Sequence, residues 1–225
     1  MCGRYMITSP LEAIRRIFSV DERPNLAARY NVAPTQQVPI VRRGADGAAR
    51  ELVMVRWGLV PFWAKDTKIG YKMINARAET VAGKPAFRDS YRRRRCLVVA
   101  DGFYEWKKID GGKQPYLIRV KGGEPFAFAG LWADWTDKNS GERIESCTIV
   151  VTGANTLVAA IHDRMPVIVP TAQYDAWLDP AAADGAAMLR PFPAELMETY
   201  AVSPRVGNVR NDDPGLIEPL AGQLI

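Results

Sequence analysis

The chain has 225 residues, of which 48% are hydrophobic and 24% are charged, a balance typical of a globular protein. It contains no apolar run near the roughly 18 residues that cross a bilayer, and no basic segment followed by an apolar stretch appears at its start, so we do not expect secretion. We therefore expect a cytoplasmic protein without membrane contact. The net charge of +5 and the isoelectric point near 9.2 favour a polyanionic partner.

The cysteines Cys2, Cys96 and Cys147 are odd in number and widely spaced, and His162 is the single histidine. This pattern predicts neither a disulfide framework nor a zinc site, so we expect no metal and no cofactor. Cys96 and Cys147 border apolar runs, which is typical of buried structural thiols in a reducing compartment.

The predicted elements mix many strands with few helices. Apolar residues at helical spacing predict a first helix over residues 10–20. Residues 74–80 lead into a predicted short helix. Further helices are expected over 171–178 and 181–189. The predicted strands cover residues 38–42 and 51–55, joined by a turn at 44–47, and then 96–100, 103–107, 116–120, 126–132, 147–152 and 166–169.

Strands and helices do not alternate in βαβ order, and neither an internal repeat nor a long linker interrupts the chain. These features predict one α+β domain built on a curved antiparallel or mixed sheet.

The N-terminal residues contain the most reactive candidate. If Met1 is removed, Cys2 carries an α-amine and a thiol on adjacent carbons, with ordinary pKa values of about 8 and about 8.5. Both groups would then be partly reactive at neutral pH. Such an aminothiol condenses with an aldehyde, first to an imine and then to a thiazolidine. The alternative is a disordered terminus with an incidental cysteine.

Two residues are candidates for proton transfer. His162 precedes an apolar strand, and an imidazole accepts or donates a proton near neutral pH, although a structural histidine is the alternative. Glu105 lies among aromatic residues and shares one strand face with Phe103 and Lys107. Burial there would raise the pKa of its carboxyl, whereas a solvated ion pair with Lys107 is the alternative.

Polar and aromatic residues suggest a binding surface. Asn75, Arg77 and Glu79 share a face if their segment is extended, whereas in a helix Asn75 would be the N-cap. The arginine run at 92–95 fits a solvated face, a guarded strand edge or a nucleic-acid contact. The aromatic residues either pack in the core or stack on an unpaired base; they are Trp57, Phe62 and Trp63.

Six motifs in order resemble the SOS-response-associated peptidase (SRAP) family of abasic-site processing proteins. They cover residues 1–5, 29–35, 57–63, 74–80, 100–106 and 161–166, and Asn208 follows in a matching run at 206–209.

The resemblance implies that Cys2, after loss of Met1, forms a thiazolidine crosslink with the ring-opened sugar of an abasic site in single-stranded DNA, protecting the lesion. Asn75 would hold the N-terminal residue and the sugar, and Glu105 and His162 would move protons. The implied DNA-binding residues are Arg4, Arg77, Arg164, Phe62, Trp63 and Asn208.

The same resemblance implies a single domain over residues 2–225, a β-barrel-like core flanked by short helices, and a positively charged DNA channel. It also implies a monomer without metal or cofactor, cytoplasmic and associated with the nucleoid when DNA is damaged.

Three other functions stay open. A cysteine peptidase or amidohydrolase would use Cys2 as nucleophile and His162 as base, and could remove Met1 autocatalytically. A noncatalytic single-strand-binding module would need only the arginines and tryptophans. A structural domain without a site would leave the ordered motifs unexplained.

Overall fold

The computed structural model describes residues 2–44, 47, 49–182 and 185–224, with side chains described up to residue 220. The strands are β1 (Tyr5–Ile7), β2 (Arg29–Val32), β3 (Gln37–Arg43), β4 (Arg50–Trp57), β5 (Asn75–Arg77), β6 (Arg95–Ala100), β7 (Gly102–Ile109), β8 (Gly112–Val120), β9 (Phe126–Thr136), β10 (Arg143–Gly153), β11 (Arg164–Pro166), β12 (Ile168–Val169), β13 (Met197–Val202) and β14 (Pro219–Leu224). The α-helices are α1 (Leu11–Phe18), α2 (Arg88–Arg93), α3 (Thr156–Ala159) and α4 (Tyr174–Leu178).

Short 3-10 helices supplement these elements. They cover Thr67–Lys72, Thr171–Gln173, Ala194–Leu196, Pro204–Gly207 and Pro214–Ile217.

Five strands form a closed barrel in the order β10-β4-β3-β6-β9. Closure depends on β10, which pairs antiparallel with β9 along seven residues and parallel with β4 at its other edge. Beyond the end of β4, the short β5 continues the same edge of β10. Strand β6 is buried along its whole length because its outer face is covered as well: Trp177 of α4 donates from Nε1 to the Cys96 carbonyl at 2.8 Å.

A second sheet of six strands, in the order β14-β13-β8-β7-β1-β2, curls into a half-barrel. The two sheets meet in a shared aromatic core. Tyr5 of β1 packs edge-to-face on Trp57 of β4, with ring centroids 5.2 Å apart, and on Phe128 of β9 at 5.8 Å. The N-terminal strand is therefore fixed against the barrel, which places residue 2 in the interior.

The predicted fold class is confirmed: the protein is α+β with a barrel and few short helices. The first helix and the 38–42 and 51–55 strand pair are also confirmed, as α1 and as β3 paired with β4. The predicted turn at 44–47 includes residues 45 and 46, which lie outside the described residues. The 171–178 helix is present as a 3-10 turn continuing into α4.

Two predictions around Asn75 are wrong. Residues 75–77 form a strand rather than leading into a helix, and turns follow them, so Asn75 is not a helix N-cap. The physical reason is the unpaired edge of β10, since Ile149 donates its N–H to the Ile74 carbonyl at 3.1 Å and Ala78 donates to the Val151 carbonyl at 2.9 Å.

The predicted 181–189 helix includes residues 183 and 184, which lie outside the described residues. Described residues on either side of them, 181 and 186–188, adopt turns.

Candidate active site

Cys2 lies buried at the entrance to β1, with none of its surface exposed. Strand β1 pairs antiparallel with β7, with Tyr5 opposite Phe103, and Tyr104 donates its N–H to the Arg4 carbonyl at 3.0 Å. Continued by two residues, this register brings the N-terminus alongside Glu105. The charge of Glu105 acts on the Cys2 thiol directly and helps to raise its pKa.

The environment of Cys2 opposes ionisation of its thiol. Burial, and secondarily the charge of Glu105, raise the pKa of the thiol far above its ordinary value. Burial therefore opposes the partial ionisation that the ordinary thiol pKa predicts. The reason is that sheet pairing removes Cys2 from water, and a thiolate is poorly solvated in the protein interior.

Glu105 is a buried carboxyl on β7, with 3% of its surface exposed. Desolvation raises its pKa, and the charge of His162 acts in the opposite direction. The alternative of a solvated carboxylate is wrong, because alternation along β7 turns Glu105 to the same inner face as Phe103.

His162 lies between α3 and β11, and about a quarter of its side chain is exposed. Its Nδ1 accepts the Arg164 N–H at 3.0 Å and lies 2.9 Å from Asp163 Oδ1. These contacts hold the ring near the start of β11. The charge of His162 lowers the pKa of Glu105. Cys2, Glu105 and His162 thus form one electrostatically linked cluster assembled from three distant segments.

Strand β10 holds three further predicted residues at its two edges. On one edge Asn75 lies opposite Ile149 in parallel register, and Arg77 lies two residues further along. On the other edge Arg164 lies opposite Gly153. The side chain of Arg77 is exposed, whereas Arg164 is half-buried and forms an ion pair with Glu79.

The side chain of Asn75 is incompletely satisfied. Its Nδ2 donates to the Ile74 carbonyl at 3.0 Å. Its Oδ1 is buried and has no hydrogen-bond partner within the described part of the chain. A carbonyl oxygen in this state is ready to accept a hydrogen bond from a bound group.

Arg4 is engaged inside the protein. Its guanidinium donates to Asn31 Oδ1 at 3.0 Å and to the Val206 and Gly207 carbonyls at 2.8 and 3.3 Å. Asn208 lies in the adjoining turn, exposed to solvent, and its carbonyl accepts from Asn31 Nδ2 at 3.1 Å. Arg4 therefore ties the strand carrying Cys2 to the turn that carries Asn208.

Asn31 is a site-supporting residue that sequence reasoning missed. It is 1% exposed and also donates to the carbonyls of Val206 and Asn211. It stands in the 29–35 motif without any local feature that distinguishes it from a turn asparagine, so only the fold reveals its role.

The aromatic segment divides into a core residue and two surface residues. Trp57 is fully buried and donates from Nε1 to the Ile74 carbonyl at 3.0 Å, so its prediction as a stacking residue is wrong. Phe62 and Trp63 are 62% and 48% exposed. These two remain candidates for contact with a ligand.

The arginine run at 92–95 also divides. Arg92 and Arg93 are exposed near the end of α2, whereas Arg95 is buried, donates to the Tyr91 carbonyl and lies over the Tyr91 and Trp177 rings. None of the predicted roles fits Arg95, because the start of β6 is packed beneath α4. Cys96 and Cys147 are confirmed as buried free thiols.

The described residues contain no group of three or more His, Cys, Asp or Glu side chains arranged to hold a metal ion. Within the same residues, every helix is too short or too polar to cross a membrane.

This fold and site define a class of α+β proteins in which an N-terminal cysteine is buried beside a glutamate and a histidine. The family model described as SOS response associated peptidase (SRAP) matches residues 1–209. The chain belongs to the SRAP family.

Similar curated proteins carry one functional name. The chain is 43% identical to the abasic site processing protein YoqW of Bacillus subtilis, over 97% of this chain and 99% of that protein. It is 30% identical to the abasic site processing protein HMCES of Gallus gallus, over 98% of this chain and 78% of that protein.

Solved structures share the fold. A protein from Bacteroides thetaiotaomicron superposes with a TM-score of 0.89 at 28% identity, and the match covers 97% of this chain and 100% of that chain. A phage-related protein from Bordetella bronchiseptica gives a TM-score of 0.72 at 32% identity, covering 89% and 94% of the two chains.

Proposed function

We propose that this protein processes abasic sites by forming a covalent thiazolidine crosslink between Cys2 and the ring-opened sugar in single-stranded DNA. The observation that carries the proposal is the cluster of Cys2, Glu105 and His162, in which a buried thiol that would become an aminothiol on loss of Met1 lies with two proton-transfer groups. The abasic-site function named for YoqW and HMCES supports the same substrate.

The first step requires a free α-amine, so Met1 must be removed. The amine nitrogen adds to C1′ of the open-chain aldehyde, and the carbinolamine then loses water to give an imine. Glu105 takes up the proton released by the amine and returns a proton to the departing hydroxyl. Its raised pKa suits both transfers, because burial holds the carboxyl closer to neutrality than an exposed glutamate.

The second step closes the ring. The Cys2 sulfur adds to the imine carbon, the new C–S bond forms, and the thiol proton moves to the nitrogen. The overall reaction consumes one aldehyde and one aminothiol and releases one water, without an oxidant or reductant. A thiol held protonated by burial favours this order, in which the amine attacks first and the sulfur follows.

The surrounding residues suit a single strand bent at a lesion. Arg77 and Arg164 flank β10 and would bind the neighbouring phosphates, while the buried Asn75 Oδ1 would accept a hydrogen bond from the sugar or the N-terminal amine. The exposed Phe62 and Trp63 would stack on the flanking base. Stacking of this kind needs an unpaired base.

Arg4 and Asn208 complete the proposed DNA surface. Since Arg4 is hydrogen-bonded to Asn31 and to the 206–207 carbonyls, its main contribution would be to position the N-terminal strand. Its charge would add to the field at the lesion. The exposed side chain of Asn208 would meet the strand from the same turn.

The same proposal includes a monomer of one domain over residues 2–225, acting in the cytoplasm at the nucleoid. A continuous apolar cluster that reaches from Cys2 to Met197 supports the single domain.

Peptidase activity is the second candidate, since the family description names it. A cysteine peptidase needs a thiolate activated by a neighbouring base. At Cys2 burial opposes the thiolate, and the carboxyl of Glu105 opposes it further. The environment of Cys2 therefore favours the aldehyde reaction.

A denaturing gel separates the two functions. Mature protein incubated with labelled single-stranded DNA bearing one abasic site is expected to give a heat-stable shifted band. Cys2→Ala should abolish it, and the matched control Cys147→Ala, which removes another buried thiol, should retain it. Equal crosslinking by Cys2→Ala would overturn the proposal. Cleavage of a peptide without DNA, lost in Cys2→Ala and His162→Ala, would instead establish the peptidase.

A further inference from the structure

A basic surface outside the crosslinking site begins beside Phe62. This exposed ring forms one wall of a groove of about 410 Å³ that Arg93 and Arg94 line on another side. Arg93 also lines a second groove of about 410 Å³, which continues to Arg42, Arg43 and Trp132. Arg93 borders both grooves, and the two together are here called the arginine groove.

Four carboxylates line the arginine groove, and each lies near an arginine; the first, Asp89, is 3.7 Å from Arg88. Asp134 is bound by Arg143 at 2.6 Å, and Glu51 and Glu145 are both bound by Arg42, at 2.5 and 3.0 Å. By contrast, Arg92, Arg93 and Arg94 form no ion pair with any carboxylate in the described residues. Six arginines and four carboxylates line the two grooves, so positive charge is in excess.

An aromatic platform lies within the groove. The partly buried Trp132 has the Arg42 guanidinium 4.1 Å from its ring centroid and that of Arg94 at 5.3 Å. Alternating guanidinium and aromatic groups match the alternating phosphates and bases of a single strand. Basic residues stabilise the last turn of a helix, which accounts for Arg92 and Arg93 at the end of α2. Helix stability does not explain Arg94 or the aromatic platform.

We propose that the arginine groove binds the DNA strand flanking the lesion, with Arg93 and Arg94 neutralising two phosphates of the segment that continues past Phe62. The inference rests on the proposed function for the location of the lesion. It adds a second contact region, so that affinity depends on the length of the strand on that side.

The test measures equilibrium binding by fluorescence anisotropy, with single-stranded DNA that carries an unreactive tetrahydrofuran analogue of the abasic site. Long and short flanks on each side of the analogue are compared across a salt series. Arg93→Gln/Arg94→Gln should weaken binding of the DNA that has its long flank on one particular side of the analogue, the side that reaches the arginine groove. Its salt slope should fall by about 1.4, since each phosphate of a single strand that is no longer neutralised lowers the slope by about 0.7. DNA with minimal flanks should bind both proteins alike.

Two further variants make the result specific. Lys108→Gln/Lys113→Gln removes the same charge from the β7–β8 hairpin of the other sheet and should leave the slope unchanged. Arg93→Lys/Arg94→Lys keeps the charge and should retain most of the slope.

An unchanged slope in Arg93→Gln/Arg94→Gln, or an equal loss in the hairpin control, would overturn the arginine groove as a DNA-binding surface. Crosslinking of reactive abasic DNA by the wild-type protein is measured separately. If that crosslink is absent, the proposed function fails, and the flank-dependent binding still decides the groove.

Discussion

Glu105 is a carboxyl placed on the inner face of a strand that is otherwise apolar and aromatic. Its pKa is raised because desolvation penalises the charged form more than the nearby positive charge favours it. Because the pKa of Glu105 is higher in the folded state, the unfolded chain binds fewer protons than the folded chain at pH values between the unfolded and the folded pKa. Stability is therefore lost as pH increases through the folded pKa.

Glu105→Gln is expected to be more stable than the wild type at pH 8. The amide removes the buried charge while keeping the shape. A gain of about 1 kcal/mol would raise Tm by roughly 2–4 °C in a chain of this size. Below the ordinary glutamate pKa, near pH 4, the difference should vanish because the wild-type carboxyl is protonated.

Thermal unfolding followed by circular dichroism at both pH values checks this. The control Glu198→Gln, on an exposed face of β13, should show no such pH-dependent gain. A variant less stable than wild type at pH 8 would mean that the charged form is favoured in the folded protein.

The residues themselves left Cys2, Glu105 and His162 as candidates with structural alternatives, and only the ordered motifs that resemble the SRAP family placed them in one predicted site. Sequence reasoning could not separate Trp57 from Phe62, since both are aromatic residues near glycine and proline. What separates them is tertiary: Trp57 ends a barrel strand, whereas Phe62 follows the chain out of the sheet. The burial that raises the pKa of the Cys2 thiol was equally invisible from the sequence.

At the scale of elements, the segment after β4 is shaped by a close backbone approach. Gly58 has φ +119°, and a Cβ there would lie 2.6 Å from the Gly70 carbonyl oxygen. Only glycine satisfies both the backbone conformation and this proximity. The close approach fixes the loop that presents Phe62 and Trp63.

Gly58→Ala is therefore expected to destabilise the protein by about 2 kcal/mol or more, through backbone strain and the clash together. Urea unfolding measures the change. Gly112→Ala, at an open position of the β7–β8 hairpin with an ordinary φ, should stay within about 0.5 kcal/mol. Equal stability of the two variants would show that the loop can separate from residue 70 without cost.

Element prediction failed where tertiary pairing overrides local propensity. The sequence Asn-Ala-Arg-Ala-Glu at 75–79 favours a helix by composition, yet residues 75–77 pair with β10 and form a strand. Strands with strong apolar or β-branched content, such as β6 and β9, were predictable because burial on both faces is visible in their composition.

At the scale of the whole molecule, the barrel closes through a parallel pairing of β4 with β10, in which Arg56 lies opposite Ser146. No local pattern encodes a pairing across that sequence distance, so the residue patterns predicted only a curved sheet, and the barrel-like core was implied by the family resemblance alone. Closure matters for function because β10 then carries Asn75 and Arg77 at one edge and Arg164 at the other.

Arg77 and Arg164 are expected to contribute to the affinity of this basic protein, of net charge +5, for DNA. Each Arg→Ala substitution should weaken binding of single-stranded abasic-analogue DNA and lower the salt slope by about 0.7, the value for one phosphate. Anisotropy titrations from low to high salt measure both quantities. Arg23→Ala, an exposed arginine near α1 that is paired with Glu12, is the matched control. A slope that is unchanged in both site variants would remove these arginines from the DNA-binding surface.

The central claim is that a free N-terminal aminothiol traps the abasic aldehyde, and intact-protein mass spectrometry tests it most directly. Mature protein starting at Cys2 and protein that retains Met1 are each incubated with abasic single-stranded DNA. The mature protein should gain the mass of the DNA less one water, with peptide mapping placing the adduct on Cys2. The Met1-retaining protein should gain nothing, because its residue 2 nitrogen is an amide. Equal adduct formation by both proteins, or an adduct mapped to another residue, would contradict the account.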